Sequence, residues 1–482
     1  MTTTSPTSQA FDLIVIGGGS GGLTAAEFGA ALGAKVALVE ADARLGGECL
    51  HAGCVPSKAL IHAARRFQTI REQLKPWDEL TNDSFVKAMQ AVNASIDAVE
   101  AEHDNDGFYE VKGVTVFHSR AEFSGKRQIT LADGTVLTAK RFMIATGSKP
   151  LIPAIEGLTD TDFLTNENIF KLAKLPASLV VIGGGPIGCE LGQALAMFGC
   201  QVTIISQDER LLPRDEPEAS AALQASLEQY ANVRLVFNAK ISKVTADNGS
   251  TVHYAVGEQS QQVSAERLLV ATGRAASTGM NLEVAGIEYT DRLIVTNAKF
   301  QTTNKHVYAV GDVMGGPNFT HVAVDQAVSA TQNSLLGLGR RKRNLNELAW
   351  ATFTYPEIAH LGADEASLIA SKTAYRKEVI DFNTIDKAVA DQETGLIKVL
   401  TDKKGHILGA TIIGGPAAEL LGLLVLAKQK GMKFSELGGS LHAYPTYAFG
   451  LKVFASGLSL RTFESGPRRK LISLLRRISL RS

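Results

Sequence analysis

FDLIVIGGGSGGLTAAEFGAALGAKVALVE, residues 11–40, runs from a short apolar stretch into a glycine loop, a helical stretch and a second apolar stretch closed by Glu40. Strand, loop, helix and strand in that order make one unit of a doubly wound α/β fold. Gly17, Gly19 and Gly22 stand at GxGxxG spacing. The first permits a tight turn, the second lets the backbone approach a pyrophosphate, and the third lets the helix pack on the sheet. Phosphates then meet the helix N-terminus, and Glu40 is placed to accept from a ribose hydroxyl. A bare GxGxxG is weak evidence; the strands and helix around it make this one specific.

The device returns in SLVVIGGGPIGCELGQALAMFGCQVTIIS, residues 178–206, with Gly183, Gly185 and Gly188 in the same places. Two such units imply two dinucleotides. In the second unit Ser206 replaces the acid, and Arg210 and Arg214 follow closely. An acid repels a 2′-phosphate and an arginine attracts one, so this loop favours NADPH over NADH.

Between the two units lies GGECLHAGCVPSK, residues 46–58, with Cys49 and Cys54. The chain has four cysteines in all, and Cys189 and Cys200 lie far from this pair with no second CxxC, so no metal site is expected. Forty-nine basic residues balance 49 acidic ones, which removes a whole-protein electrostatic case for nucleic acid. The opening MTTTSPTSQA lacks a basic start and an apolar core and reads as a tail rather than a secretory signal. No apolar run is long enough to span a bilayer. These features point to a reducing, cytoplasmic setting, where a close cysteine pair is more often catalytic than structural. Beyond the pair, SKALIHAARRF has helical periodicity, and Pro56 suits a helix start. The thiols therefore sit near a helix N-terminus, which favours thiolate, with Lys58 as a candidate cation.

GGECLHAGCVPSK resembles the active-site signature of the class I flavoprotein disulfide reductases, the pyridine nucleotide-disulfide oxidoreductase family that includes dihydrolipoamide dehydrogenase, glutathione reductase and mercuric reductase. ATGSKP (145–150, with Thr146 and Gly147) and ATGRAAS (271–277, with Gly273) resemble the family's strand ends beside each cofactor. HVYAVGDV (306–313) is similar to its second flavin motif, and NFTHVAVD (318–325) to a flavin-contacting stretch. The resemblance implies FAD as cofactor, held by Asp312, Gly47, Val322 and Ala323 beside the first loop, with NAD(P)H as reductant. It implies Cys49 as the exposed thiol that meets the acceptor, Cys54 as the flavin-side thiol, and Lys58 paired with Glu190. The implied fold class is α/β, with two Rossmann-like dinucleotide-binding domains for FAD and NAD(P) plus a C-terminal α+β dimerisation domain that begins near TFTYPEIAHLG (352–362), hence a homodimer. The expected boundaries are a flexible tail 1–10, an FAD domain 11–157 and 294–345, an NAD(P) domain 158–293, a dimerisation domain 346–457 and an extension 458–482.

The chain departs from the family at LHAYPTYAF, residues 441–449. Thiol-processing members carry a His-Glu dyad there; this chain has Tyr444 and Phe449, with His442 two residues earlier as a candidate substitute base. A tyrosine of ordinary pKa, about 10, is a poor base at neutral pH. The expected acceptor is thus a metal ion, disulfide or other small molecule, in a mercuric-reductase-like enzyme, although no cysteine follows Cys200. The alternatives are a dihydrolipoamide dehydrogenase or glutathione-reductase-like enzyme and, in another class, a membrane-docked flavin redox sensor or binding module. The last rests on the tail. Leu471, Ile472, Leu474, Leu475 and Ile478 fall on one helical stripe, with Arg469, Lys470, Arg476, Arg477 and Arg481 off it, a pattern suited to peripheral contact with an anionic membrane surface.

Overall fold

The apolar run at residues 11–16 becomes the centre of a sheet because both of its faces are covered. In a computed structural model that describes residues 9–73, 81–246, 249–340, 347–464, 473 and 475–480, the strand Gln9–Ile16 sends Leu13 and Val15 into one core with Leu23, Ala26, Ala327 and Ala330. Ile14 and Ile16 enter another on the opposite face, with Phe123, Ile129, Leu282 and Ile287. Alternation along a strand, with both faces apolar, is what a buried parallel strand requires. Gln9–Ile16 pairs in parallel with Val36–Glu40 and Val136–Ile144, and Val307–Ala309 returns late in the chain to pair with Val136–Ile144. The helices Ser20–Ala31 and Thr320–Leu336 lie against each other over this sheet.

The second glycine-loop unit builds a four-stranded parallel sheet in the order Val233–Val236, Gln201–Ile205, Ser178–Ile182, Arg267–Val270. An antiparallel ribbon of Ala239–Thr245, Ser250–Val256 and Gln259–Ala265 packs beside it through Val244, Val252 and Tyr254. Both sheets belong to one unit, residues 1–209 with 232–342.

The other unit comprises residues 210–231 with 343–482. Its five-stranded antiparallel sheet, centred on Ile407–Ile413, buries Ile397, Val399 and Ile412 beneath the helices Ala417–Gln429 and Tyr447–Glu464. The helix Pro217–Leu227 groups with this unit, although it falls inside the stretch expected to be the NAD(P) domain. Lys398 explains the attachment: 2% exposed, it bonds Glu218 and Glu365 and pairs with Glu216 at 3.2 Å. A buried ammonium is tolerated only with such partners.

No described helix is long and apolar enough to cross a membrane. Of the expected amphipathic tail, residues 465–472, 474, 481 and 482 lie outside the described residues, and so do 341–346 of the basic linker. Leu475 and Ile478 are exposed.

Candidate active site

Gly47–His51 forms a five-residue helix that carries Cys49, and Cys54 opens the twenty-residue helix Cys54–Gln73. Pro56 therefore lies in the first turn, where its missing N–H costs nothing. Both cysteines are free thiols, and Cys54 rather than Cys49, the one expected to be exposed, is the more exposed of the two. They behave as one pair that shares a proton. Cys54 is pushed down to about 6, chiefly because the Cys49 S–H donates to it, with help from Thr320 and the charge of Lys58. Cys49 is pushed up because it holds that proton, and burial adds to the effect. The thiolate is thus Cys54, at a helix N-terminus that favours negative charge. Thr320 Oγ1 stands 3.5 Å from Cys54 Sγ, a neighbour that the sequence reading did not single out.

Lys58, one turn further along the helix, donates to Glu190 Oε2 at 2.8 Å. Glu190 is 8% exposed, on the helix Pro186–Met197 that opens at the second glycine loop. The thiolate, the cation and the buried carboxylate are thereby joined across elements 132 residues apart in the chain. His321, by contrast, is exposed and stacks on Phe319 at 5.5 Å.

The glycines of each loop divide into two kinds. A Cβ on Gly22 would lie 1.8 Å from the Gly17 carbonyl oxygen, and one on Gly188 would lie 2.1 Å from that of Gly183. Those positions are closed by the fold itself. A Cβ on Gly19 would meet nothing nearer than 3.9 Å, and one on Gly185 nothing within 4 Å. Those face open space at the start of a helix, where phosphates are held. Gly17 and Gly183 take positive φ, 105° and 125°, at the turn. Glu40 stands at the end of its strand, 9% exposed, and accepts from the backbone N–H of Gly18 and Asp42. Gly46 N–H donates to the Gly18 carbonyl at 2.9 Å, and a Cβ on Gly47 would come within 2.7 Å of Gly19 Cα. The cysteine stretch is thus seated on the first loop. Ala323 packs against Gly21 and Gly311 and carries Val322 alongside.

A second cluster, not foreseen from the sequence, surrounds Glu48. Arg274, 9% exposed, pairs with the Glu48 carboxylate, donates to Ser148 Oγ at 2.7 Å and lies 3.9 Å from Asp312 Oδ2. Ser148 Oγ donates in turn to Asp312 at 2.6 Å. Asn166 Nδ2 donates to Glu48 Oε1 at 2.8 Å and to the Ala52 carbonyl at 3.1 Å. Thr146 Oγ1 donates to the Ser277 carbonyl at 2.8 Å, and Ser277 N–H donates to the Gly147 carbonyl at 3.0 Å. The two ATG stretches are tied together at this point, and Gly273, at φ 134°, turns the second into place. Arg274 Nη1 is buried with no partner among the described residues. A buried guanidinium donor without a partner is suited to an anionic ligand such as a dinucleotide. The signal available in the sequence was an acid inside GGECL and an arginine inside ATGR.

The remaining expected residues follow their own local chemistry. Ser206 is 1% exposed, and its Oγ accepts from Asp208 N–H at 3.1 Å. Arg210 donates to Ser220 Oγ and the Pro213 carbonyl, whereas Arg214 is exposed. In the C-terminal unit, Tyr444 is 63% exposed and donates to Asp386 at 3.1 Å, with Phe449 edge-on to its ring. That bond raises the phenol pKa, so less phenolate is present at neutral pH to take up a proton than in a free tyrosine. His442 shares a hydrogen bond with Ser440 at 2.8 Å.

The family model described as pyridine nucleotide-disulphide oxidoreductase matches residues 11–327, and that family's dimerisation domain matches residues 348–453. A mercuric reductase of Bacillus cereus is 34% identical over 463 residues, covering 94% of this chain and 72% of the relative. A dihydrolipoyl dehydrogenase of Bacillus subtilis (strain 168) is 30% identical over 459 residues, covering 90% of this chain and 95% of the relative. Among solved structures, the Cu(II) complex of the HOCl-induced flavoprotein disulfide reductase RclA from Escherichia coli is 25% identical at a TM-score of 0.82, covering 93% of this chain and 99% of that one. The dimerisation match ends before residues 458–482, and the membrane contact expected of them is without support.

Proposed function

We propose a function from the premise that this chain belongs to the pyridine nucleotide-disulphide oxidoreductase family and is an enzyme dependent on FAD and NAD(P)H: it carries electrons from NADPH through the Cys49–Cys54 pair to a metal ion or other small two-electron acceptor. The observation that carries the choice of acceptor is Tyr444, hydrogen-bonded to Asp386 where a dithiol-processing enzyme needs a base. FAD would be held by Gly17, Gly19, Gly22, Glu40, Gly47, Thr146, Gly147, Asp312, Val322 and Ala323. The nicotinamide dinucleotide would lie over Gly183, Gly185, Gly188, Ser206 and Gly273, with Arg210 or Arg214 toward the 2′-phosphate. Bound FAD supplies the relay between nicotinamide and disulfide.

One hydride from NADPH brings two electrons and a proton. The electrons break the Cys49–Cys54 S–S bond, the proton remains on Cys49, and Cys54 is left as thiolate. Lys58 and Glu190 keep a cation and a buried carboxylate beside that charge. When a divalent metal ion accepts both electrons, the S–S bond re-forms and the Cys49 proton leaves to solvent. Each turn then needs no base to strip a dithiol, and Tyr444 of the partner subunit positions the acceptor instead.

Anaerobic titration of the purified holoenzyme with NADPH, and separately with NADH, tests this reading through the long-wavelength thiolate-to-flavin band. Mercuric ion, the substrate named for the Bacillus cereus relative, should discharge the band, and NADPH should raise it at lower concentration than NADH. Brisk turnover of dihydrolipoamide with NAD⁺ overturns the choice of acceptor in favour of a dihydrolipoyl dehydrogenase.

A further inference from the structure

We propose that Glu48 is a positioning residue for Cys49: by gripping or releasing Arg274, it decides whether that arginine holds the Cys49-bearing helix or turns to Asp312. The inference rests on the reading of Cys49 and Cys54 as the disulfide of an FAD enzyme.

The helix Gly47–His51 is too short to hold itself, and no side chain caps its start. Its ties are made by neighbours. Asn166 joins the Glu48 carboxylate at one end to the Ala52 carbonyl at the other. Arg274 grips the second oxygen of Glu48. Cys49 is the next residue along, so the direction of its thiol follows the hold on Glu48.

Arg274 has more claims on it than it can meet. Glu48 and Asp312 both face it, and Glu167 adds a third carboxylate near Glu48. One guanidinium cannot neutralise all of these, and the cheapest relief is a proton on a carboxyl group. Glu48 is the group poised to take it. Although 32% of its side chain is accessible, surrounding protein atoms, Asp312 and Glu167 push it up to about 7 against the pull of Arg274 and Asn166. Asp312 is held in another way, by the Ser148 hydroxyl. Protonation of Glu48 weakens its claim on Arg274, so that the helix keeps its Asn166 bonds and the Gly46–Gly18 bond but loses the grip of the arginine.

Glutamine copies the protonated acid in shape and charge, and aspartate keeps a titrating group. The pH-dependent infrared difference spectrum of the oxidised holoenzyme, in which the two thiols are joined and cannot titrate, should show a carboxyl carbonyl signal with a midpoint of about 7. Glu48→Gln should abolish that signal, and Glu48→Asp should retain one at a shifted midpoint. In NADPH-driven turnover the wild-type rate should carry an inflection at the same pH, which Glu48→Gln should lose while keeping its flavin. A flavin-loaded Glu48→Gln enzyme with the inflection and the signal intact overturns the role of Glu48 and leaves the enzyme reading standing. Protein that carries no flavin, or whose flavin NADPH fails to bleach, overturns the enzyme reading and this inference with it.

Discussion

Cys54 and Cys49 differ by a proton, and the groups around Cys54 decide where the charge rests. The Cys49 thiol, Thr320 and Lys58 all favour charge on Cys54, while Glu190 opposes it. A thiolate whose pKa is depressed on folding stabilises the reduced protein fully above the ordinary thiol range. The gain is lost as pH falls through the folded value. Alkylation of the reduced enzyme by iodoacetamide should therefore follow one ionisation at about 6. Cys49→Ala removes the leading donor and Lys58→Met the attracting cation. Each should raise that ionisation, the first more than the second, and equal midpoints in all three proteins would refute the assignment. At this scale the sequence was informative about identities and, the Lys58–Glu190 pair apart, silent about partners. Cys49, Cys54 and Lys58 were legible because they share one short motif, whereas Thr320 lies 266 residues from Cys54 and carries no mark of its own. Glu48 and Arg274 were hidden for the same reason, since a charge cluster assembled from four separate segments has no spacing to read.

At the scale of the element, the two glycine loops were the most legible part of the chain because one turn, one helix start and one packing contact must recur at fixed offsets. The loops separate fold from binding within three residues. Gly188→Ala would place a methyl group 2.1 Å from the Gly183 carbonyl oxygen. It should destabilise the protein by about 1–3 kcal/mol, read as a lower thermal midpoint. Gly185 has an extended backbone, φ −80° and ψ −179°, with open space before it. Gly185→Ala should melt like the wild type but raise the KM for NADPH by about tenfold or more, roughly 1.4 kcal/mol. Two variants with the same pattern of loss would show that these glycines do not divide the work in this way. Less legible was the helix Pro217–Leu227. Its place was settled by the buried ammonium of Lys398, which lies 180 residues from Glu218.

For the whole molecule, the dimerisation domain carries a definite expectation. Leu441 is 99% exposed, and Leu426, Val453 and Leu460 are at least half exposed on the same unit. The match to a dimerisation domain makes these side chains the ones expected to meet a second copy. Sedimentation equilibrium should return twice the chain mass. Leu441→Asp should weaken association by about 1.5–3 kcal/mol, tenfold or more in the dissociation constant. A monomeric wild type, or a variant with unchanged association, would remove Leu441 from the interface. The seat of the cysteine stretch on the first glycine loop, through Gly46 and Gly47, has a consequence for protein engineering. The redox motif is not a cassette. A designer who transplants GGECLHAGCVPSK into another dinucleotide-binding scaffold must bring along a loop whose own glycines leave room for it, or the thiols arrive with nothing to rest on.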